Sequence, residues 1–417
     1  MKHTSKTLIA LAIAAATSQA HAAGFQLNSQ SATGIGRAFA GDAVIADNAS
    51  VLSRNPAAMA MFDRPELSVG AAIADVKIKV SDAVYHGLID SNLGSIDDAG
   101  STKVIPNIYY IHPINNKWAV GVAAFSNFGT GTDTSGLNSA NSPGFQNQFL
   151  GNTELTTINF NASVSYRINE QLSLGAGIDI IHGAGEIHRG EAIPTTGSLL
   201  DVDADGIGIG GIVGATYELN KDHRFGLSYR FSPTVNASGD VKKFGATGLD
   251  EIDVPVPDIF QIAGYHKVAS QVALHYTAQW TGWSEFDRIS SNGGEEIKVY
   301  NWDDSWLFSV GATYYLNPQW ELRVGYMHDQ GVVGGNSEPS ISIPDSDRNW
   351  YTAGASWHFS KNSTVDFGLA VVRGKDVNVV EQGATVDLGG GPISTGALSA
   401  TTNSNAIYYS LQYNYRF

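Results

Sequence analysis

The chain has 417 residues, no cysteine, a formal net charge of −15 and a pI near 5.0. Its acidity argues against nucleic acid as a partner, and the lack of cysteine excludes a disulfide framework and thiol chemistry. Only 16% of residues are charged, while 46 are Gly, 17 Tyr and 8 Trp, a mixture that suits a large β-barrel with aromatic girdles.

At the amino end, Lys2, His3 and Lys6 form a basic region and Leu8 to Thr17 a short apolar one. Ala20-His21-Ala22 is a small-x-small cleavage site. Residues 1–22 therefore read as a secretory signal, too short for a spanning helix. No later apolar run approaches the length of a transmembrane helix. The destinations left are periplasm, outer membrane or secretion.

Residues 23–64 do not alternate like strands. Gly34 to Gly41, Ala43 to Asp47 and Asn55 to Met61 read as short helices broken by Gly and Pro. The segment is of a size to fill a barrel lumen as a hatch.

From Glu66 onward the chain reads as strand after strand, about fourteen in all. They lie near 66–80, 103–113, 117–127, 154–168, 171–189, 206–220, 222–236, 256–267, 270–288, 304–316, 319–333, 347–359, 362–374 and 404–417. Trp306, Phe308, Val310, Ala312 and Tyr314 share one face. Glu321, Arg323 and Asp366 alternate with apolar neighbours, which indicates a polar lumen and not a packed core. Short turns (Asn115-Asn116, Asn169-Glu170, Asn220-Lys221, Asn317-Pro318, Ser360-Lys361) alternate with long loops (81–102, 128–153, 190–205, 237–255, 289–303, 334–346, 375–403). An even strand number, short periplasmic turns and long outer loops are the outer-membrane pattern. The acidic loops could meet lipopolysaccharide through divalent cations, or simply keep the loops soluble.

The last stretch carries the clearest signal. Ile407, Tyr409, Leu411, Tyr413, Tyr415 and Phe417 fall on one face, and Ala406, Tyr408, Ser410, Gln412, Asn414 and Arg416 on the other. A terminal strand with an aromatic outer face suits lipid and pairing with the first strand. A strand ending on Phe417 is also what the barrel-assembly machinery would engage. The expected fold is all-β: a transmembrane antiparallel barrel of about fourteen strands, spanning 65–417, with the 23–64 hatch in its lumen. A monomer in the Gram-negative outer membrane is expected.

Two motifs lead elsewhere and are set aside. Gly206 to Gly211 reads GxGxxG, but no helix follows it. Asp201, Asp203 and Asp205 open like a calcium loop, yet Ile212 stands where an EF-hand needs Glu; a looser calcium site is the alternative, and no metal or cofactor is assigned. The eleven histidines accompany no nucleophile motif, so no enzyme is expected.

Ala23 to Asn28, Gly34 to Gly41, Ser53 to Ala57, Met61 to Pro65, Phe125 to Gly129 and Ser340 to Arg348 together resemble the FadL-type outer-membrane transporters. The resemblance covers the mature chain. It implies passive uptake of long-chain fatty acids: capture among outer loops, transfer to an internal pocket beside the N-terminus, and lateral release through a gap made by a kink in the third strand. Some relatives carry aromatic hydrocarbons, which is the alternative; a general diffusion porin is the second, and the hatch opposes it. By the resemblance, Phe25 and Leu27 line the internal pocket and Arg189 faces the ligand carboxylate. Asn55, Pro56 and Ala57 form the hatch motif, and Ser126, Asn127, Phe128 and Gly129 the kink. Read alone, Arg189 is equally a rim residue beside Glu186 and Glu191, and 126–129 an ordinary strand end. The family's second basic partner has no evident counterpart, because Asp303 stands before the tenth strand; Arg348 and Lys298 are the other basic residues that could serve.

Overall fold

The computed structural model describes residues 24–137, 144–191, 198–243, 251–291, 294, 296–335, 337–387 and 391–417. The signal reading at 1–22, and Ala23 at its cleavage site, lie outside them.

Fourteen antiparallel strands close into a barrel. In chain order they are β1 (Glu66–His86), β2 (Thr102–Pro113), β3 (Trp118–Phe125, resuming at Gly129–Asp133), β4 (Gly151–Arg167), β5 (Leu172–Glu191), β6 (Ser198–Asn220) and β7 (His223–Phe231, then Thr234–Lys243). They continue with β8 (Glu251–Pro255, then Ile259–Ala269), β9 (Val272–Thr281, then Arg288–Ser291), β10 (Glu296–Val299, then Ser305–Asn317), β11 (Trp320–Asp329), β12 (Arg348–His358), β13 (Ser363–Gly374, then Val377–Gln382) and β14 (Ala397–Arg416). Each pairs with its sequence neighbour, and β14 pairs with β1 from Glu66↔Arg416 to His86↔Ala397, which leaves no free edge.

The alternation explains the wall. On β14, Tyr409, Leu411, Tyr413 and Phe417 are exposed, while Tyr408, Gln412 and Asn414 are buried against the lumen. On β10, Trp306, Phe308 and Val310 face out, and Leu307 and Ser309 face in. Trp320 stacks on Trp357 across β11 and β12 at the short-turn end, part of an aromatic girdle.

Several expected outer loops are strand instead. Parts of 190–205, 237–255, 289–303 and 375–403 carry the hairpins upward, because paired backbone satisfies its own polar groups where a loop would need water or side chains. Asp201 and Asp205 therefore point from β6 toward His188 and His182, at 3.2 and 3.1 Å. Among the described residues no cluster of carboxylates and histidines could hold a metal.

Inside sits the hatch, built from a helix at Ala32–Gly36 and 3₁₀ turns at Ala49–Ser53 and Pro56–Met61. Each turn is capped by a side chain: Ser31 accepts from Gly34, Asn48 from Ser50, and Asn55 from Ala57. The hatch touches the wall closely enough to demand glycine. A Cβ on Gly354 of β12 would lie 2.7 Å from Gly36 Cα, backbone against backbone. Charge fixes the other side. Arg37 pairs with Asp42 at 2.8 Å and Asp47 at 2.5 Å, and Asp47 reaches Arg323 of β11 at 3.5 Å. Burial opposes the charge on Asp47, but Arg37 and Arg323 hold its carboxyl below the usual range.

Candidate functional site

The third strand stops at Phe125 and resumes at Gly129. Its partner β2 is paired with β3 only from Ile108↔Ala124 to Pro113↔Ala119. The upper part of β2, Thr102 to Asn107, pairs with β1 on one side and leaves a gap on the other. Above the gap the chains meet again: Asp133 N–H donates to Ala99 O at 2.8 Å and Ser101 Oγ to Gly131 O at 3.4 Å. Lys103 of β2 pairs with Glu154 of β4 across the same place. The result is a window in the wall, closed above and below.

The N-terminal segment seals it from inside. Leu27 N–H donates to Asn127 O at 2.7 Å, and Gly129 N–H to Phe25 O at 3.0 Å, with Gln26 bridged to Phe128. The Gln30 carboxamide donates to Ser126 O at 2.9 Å, and the Thr157 hydroxyl to Phe128 O at 2.7 Å. The kink's backbone is thus satisfied largely by the hatch, where unpaired groups beside lipid would cost several kcal/mol, on the order of a lost hydrogen bond each. A cavity of about 320 Å³ runs here, lined by Phe25 and Leu27 and also by the lipid-facing Val104 and Ile158.

Phe25 is buried in an aromatic nest. Trp283 lies 4.8 Å from its ring centre, Phe286 5.1 Å, Trp302 5.7 Å and Phe128 6.0 Å. The space left beside Phe25 and Phe128 is about 40 Å³, so the ring fills most of the pocket. A larger apolar groove of about 530 Å³, with Trp118, Leu174, Val213 and Leu227, lies on the lipid face and lacks any buried charge to orient a ligand.

Asp345, in the inward loop between β11 and β12, ties this assembly down. Its Oδ1 accepts from Gly24 N–H at 3.0 Å and its Oδ2 from Val332 N–H at 2.7 Å. Arg348 reaches Asp345 Oδ1 and Gly24 O, both at 3.3 Å. Burial pushes the Asp345 carboxyl up to about 7 against the pull of Arg348 and the two amides.

Arg189 lies elsewhere on the rim, buried, with all its partners neutral among the described residues. It donates to Asn152 O, His188 O, Thr153 Oγ1 and Ser342 Oγ at 2.7, 2.9, 2.7 and 2.7 Å. Asn55 caps its turn and also donates to Ala43 O at 2.9 Å and to Ala215 O of β6 at 3.0 Å. Pro56 and Ala57 lie buried in that turn. Asp303 sits in the break of β10, its N–H on Val332 O. Gln30 and Thr157 escaped the sequence reading, as nothing in their local pattern marks them; Asp345 lay within a quoted motif but was given no role.

The family profile described as outer membrane protein transport protein (OMPP1/FadL/TodX) matches residues 13–417. The chain belongs to the FadL family. The long-chain fatty acid transport protein of Escherichia coli O6:H1 is 30% identical, over 99% of this chain and 98% of that one. Outer membrane protein P1 of Haemophilus influenzae is 29% identical over the whole of both. Among solved structures, a Pseudomonas aeruginosa FadL homologue superposes with a TM-score of 0.78 at 23% identity, covering 95% of this chain and 100% of the homologue. The Pseudomonas putida toluene transporter TodX gives 0.59 at 19% identity, covering 89% and 94%. FadL-family proteins are outer-membrane transport channels and not enzymes. This FadL-family chain is accordingly an outer-membrane β-barrel transporter.

Proposed function

We propose that the chain takes up long-chain fatty acids, or molecules of similar hydrophobicity, passively and as a monomer. The cargo collects among the outer strand extensions, enters the nest as Phe25 yields, and leaves sideways through the window into the membrane. One observation carries this reading: the segment that fills the nest is the segment that seals the window. Withdrawing residues 25–27 therefore opens pocket and exit together.

The energetics agree. A fatty acid tail gains about 0.8 kcal/mol per buried CH₂, so a wet axial channel is a poor route for it. The hatch, tied through Asp47 to Arg323 and packed against Gly354, opposes that axial route and with it the general porin. Tight burial would trap the cargo unless an element moves, and the N-terminal segment is that element. Asn55, Pro56 and Ala57 keep the rest of the hatch in place while it moves.

A second reading rests on the nest itself. Phe25, Phe128, Trp283, Phe286 and Trp302 offer ring edges and faces suited to a monoaromatic hydrocarbon. The test is uptake of labelled oleate and of toluene by cells that lack their own transporter and express this chain. Oleate uptake above the empty-vector control supports the first reading; uptake of toluene alone replaces it with the second.

A further inference from the structure

On the extracellular side of the nest, a carboxylate of the protein itself is already seated among donors. Glu381, on the outer extension of β13, is 4% exposed. Its Oε1 is paired with Lys298 Nζ and accepts from Ser340 Oγ at 3.1 Å; its Oε2 accepts from Ile341 N–H at 3.0 Å. Lys298 also donates to Ser340 Oγ at 3.3 Å. Two residues on, Ser342 Oγ takes the 2.7 Å bond from Arg189. The tripeptide 340–342 thus stands between two cations, one of which is neutralised by Glu381.

This polar cradle adjoins the apolar nest through one residue. Lys298 Nζ lies 5.9 Å from the Tyr300 ring centre, and Tyr300 packs on Phe286 and Trp302 at 4.8 and 5.3 Å. A molecule with an apolar tail and a carboxylate head matches both halves. An ammonium, a hydroxyl and a backbone N–H converging on one carboxylate form a charge-assisted site, and the group they hold now is chemically the head group of a fatty acid.

We infer that Glu381 is an internal stand-in for the cargo's carboxylate. It occupies the Lys298–Ser340–Ile341 cradle at rest and is displaced, anion for anion, when a fatty acid arrives. The exchange keeps Lys298 paired with a carboxylate in both states, an unpaired buried charge being the costly condition, and it sends the displaced Glu381 carboxylate out to water from the outer extension of β13. It also reaches the tie between Asp345 and Gly24, since the displaced group holds Ser340 and Ile341, five and four residues before Asp345. This inference rests on the fatty-acid reading above.

The test compares oleate with oleyl alcohol, which shares the tail and lacks the charge. Binding is measured on purified protein in non-ionic detergent, with heat-modifiable gel migration verifying that each variant is folded. Glu381→Gln should bind oleate about tenfold more tightly, the removal of one competing charged hydrogen bond, and oleyl alcohol unchanged. Lys298→Gln should weaken oleate by a similar factor and again spare the alcohol. If Glu381→Gln leaves oleate binding as in the wild type, or shifts both ligands together, the stand-in role is overturned while fatty-acid binding survives. If the wild type binds toluene but neither oleate nor the alcohol, the fatty-acid reading falls and this inference with it.

Discussion

The amide of Gly24 donates to Asp345 Oδ1 at 3.0 Å, joining the first described residue to a loop 321 positions away. Val332 N–H and Arg348 meet the same carboxylate. Phe25 follows at once in the nest, and Leu27 at the kink, so one side chain holds the start of the segment that fills the nest and bonds the break in β3.

Replacing Asp345 by Ala should free that segment. The lost bond is buried, on the order of 1 kcal/mol with the carboxyl protonated. Hydrogen exchange at residues 25–27 should quicken by about fivefold, while the barrel's own amides keep their protection. Unchanged exchange at 25–27 would mean that the nest alone seats the N-terminus.

Acidity should act on the same latch, with a definite sign. Burial raises the Asp345 carboxyl to about 7, above the range it would have if exposed. A carboxyl raised in the docked state favours docking at low pH, and that contribution is lost as pH rises through about 7. Exchange at residues 25–27 should therefore be slowest near pH 5 and gain extra opening, beyond the intrinsic base catalysis of exchange, toward pH 8. Asp345→Asn should abolish the extra term; the same excess slope in that variant would assign it to another group.

Deleting Asn127 to Gly129 should restore a continuous third strand. Thr102 to Asn107 could then find ladder partners on β3, and the window would close. Uptake of labelled oleate should vanish while the barrel still folds and migrates as a compact form on unheated gels. Normal uptake by the folded deletion would sink the sideways route.

Asn55 separates two jobs that one residue performs. Its Oδ1 caps Ala57, and its Nδ2 bonds Ala43 O and Ala215 O of the wall. Asn55→Ala loses both, at about 1–3 kcal/mol; Asn55→Asp keeps the cap and loses the wall bond. If anchoring governs the hatch, the two variants should lower uptake alike and both loosen residues 48–61 in hydrogen exchange. A near-normal Asn55→Asp would give the role to capping.

Much of the barrel was legible because its determinants repeat. Tyr409, Leu411 and Tyr413 face lipid for the same reason as Trp306 and Phe308, and a period of two is visible in a single sequence. The outer strand extensions were not, since above the membrane neither face meets lipid and the alternation fades. Glu381 and Lys298 lie there, 83 positions apart. The kink and the hatch motif were legible only through their resemblance to a family, and Gln30 not at all. Its carboxamide matters because Ser126 has lost a ladder partner, a fact of three-dimensional register and not of local composition. Arg189 was expected to face a ligand; the structure surrounds it with neutral acceptors and sets a charged pair, Lys298 and Glu381, on the other side of Ser340 to Ser342.

The window's closed outline has a mechanical consequence. A slit running to the rim of a cylinder invites tearing, because each broken bond shifts load to the next. Here Asp133 and Ala99 fasten the upper margin and Ile108 with Ala124 the lower, so hoop tension passes around the aperture. The gap can change what fills it without changing how far it extends, and the wall can keep an interrupted ladder without unzipping.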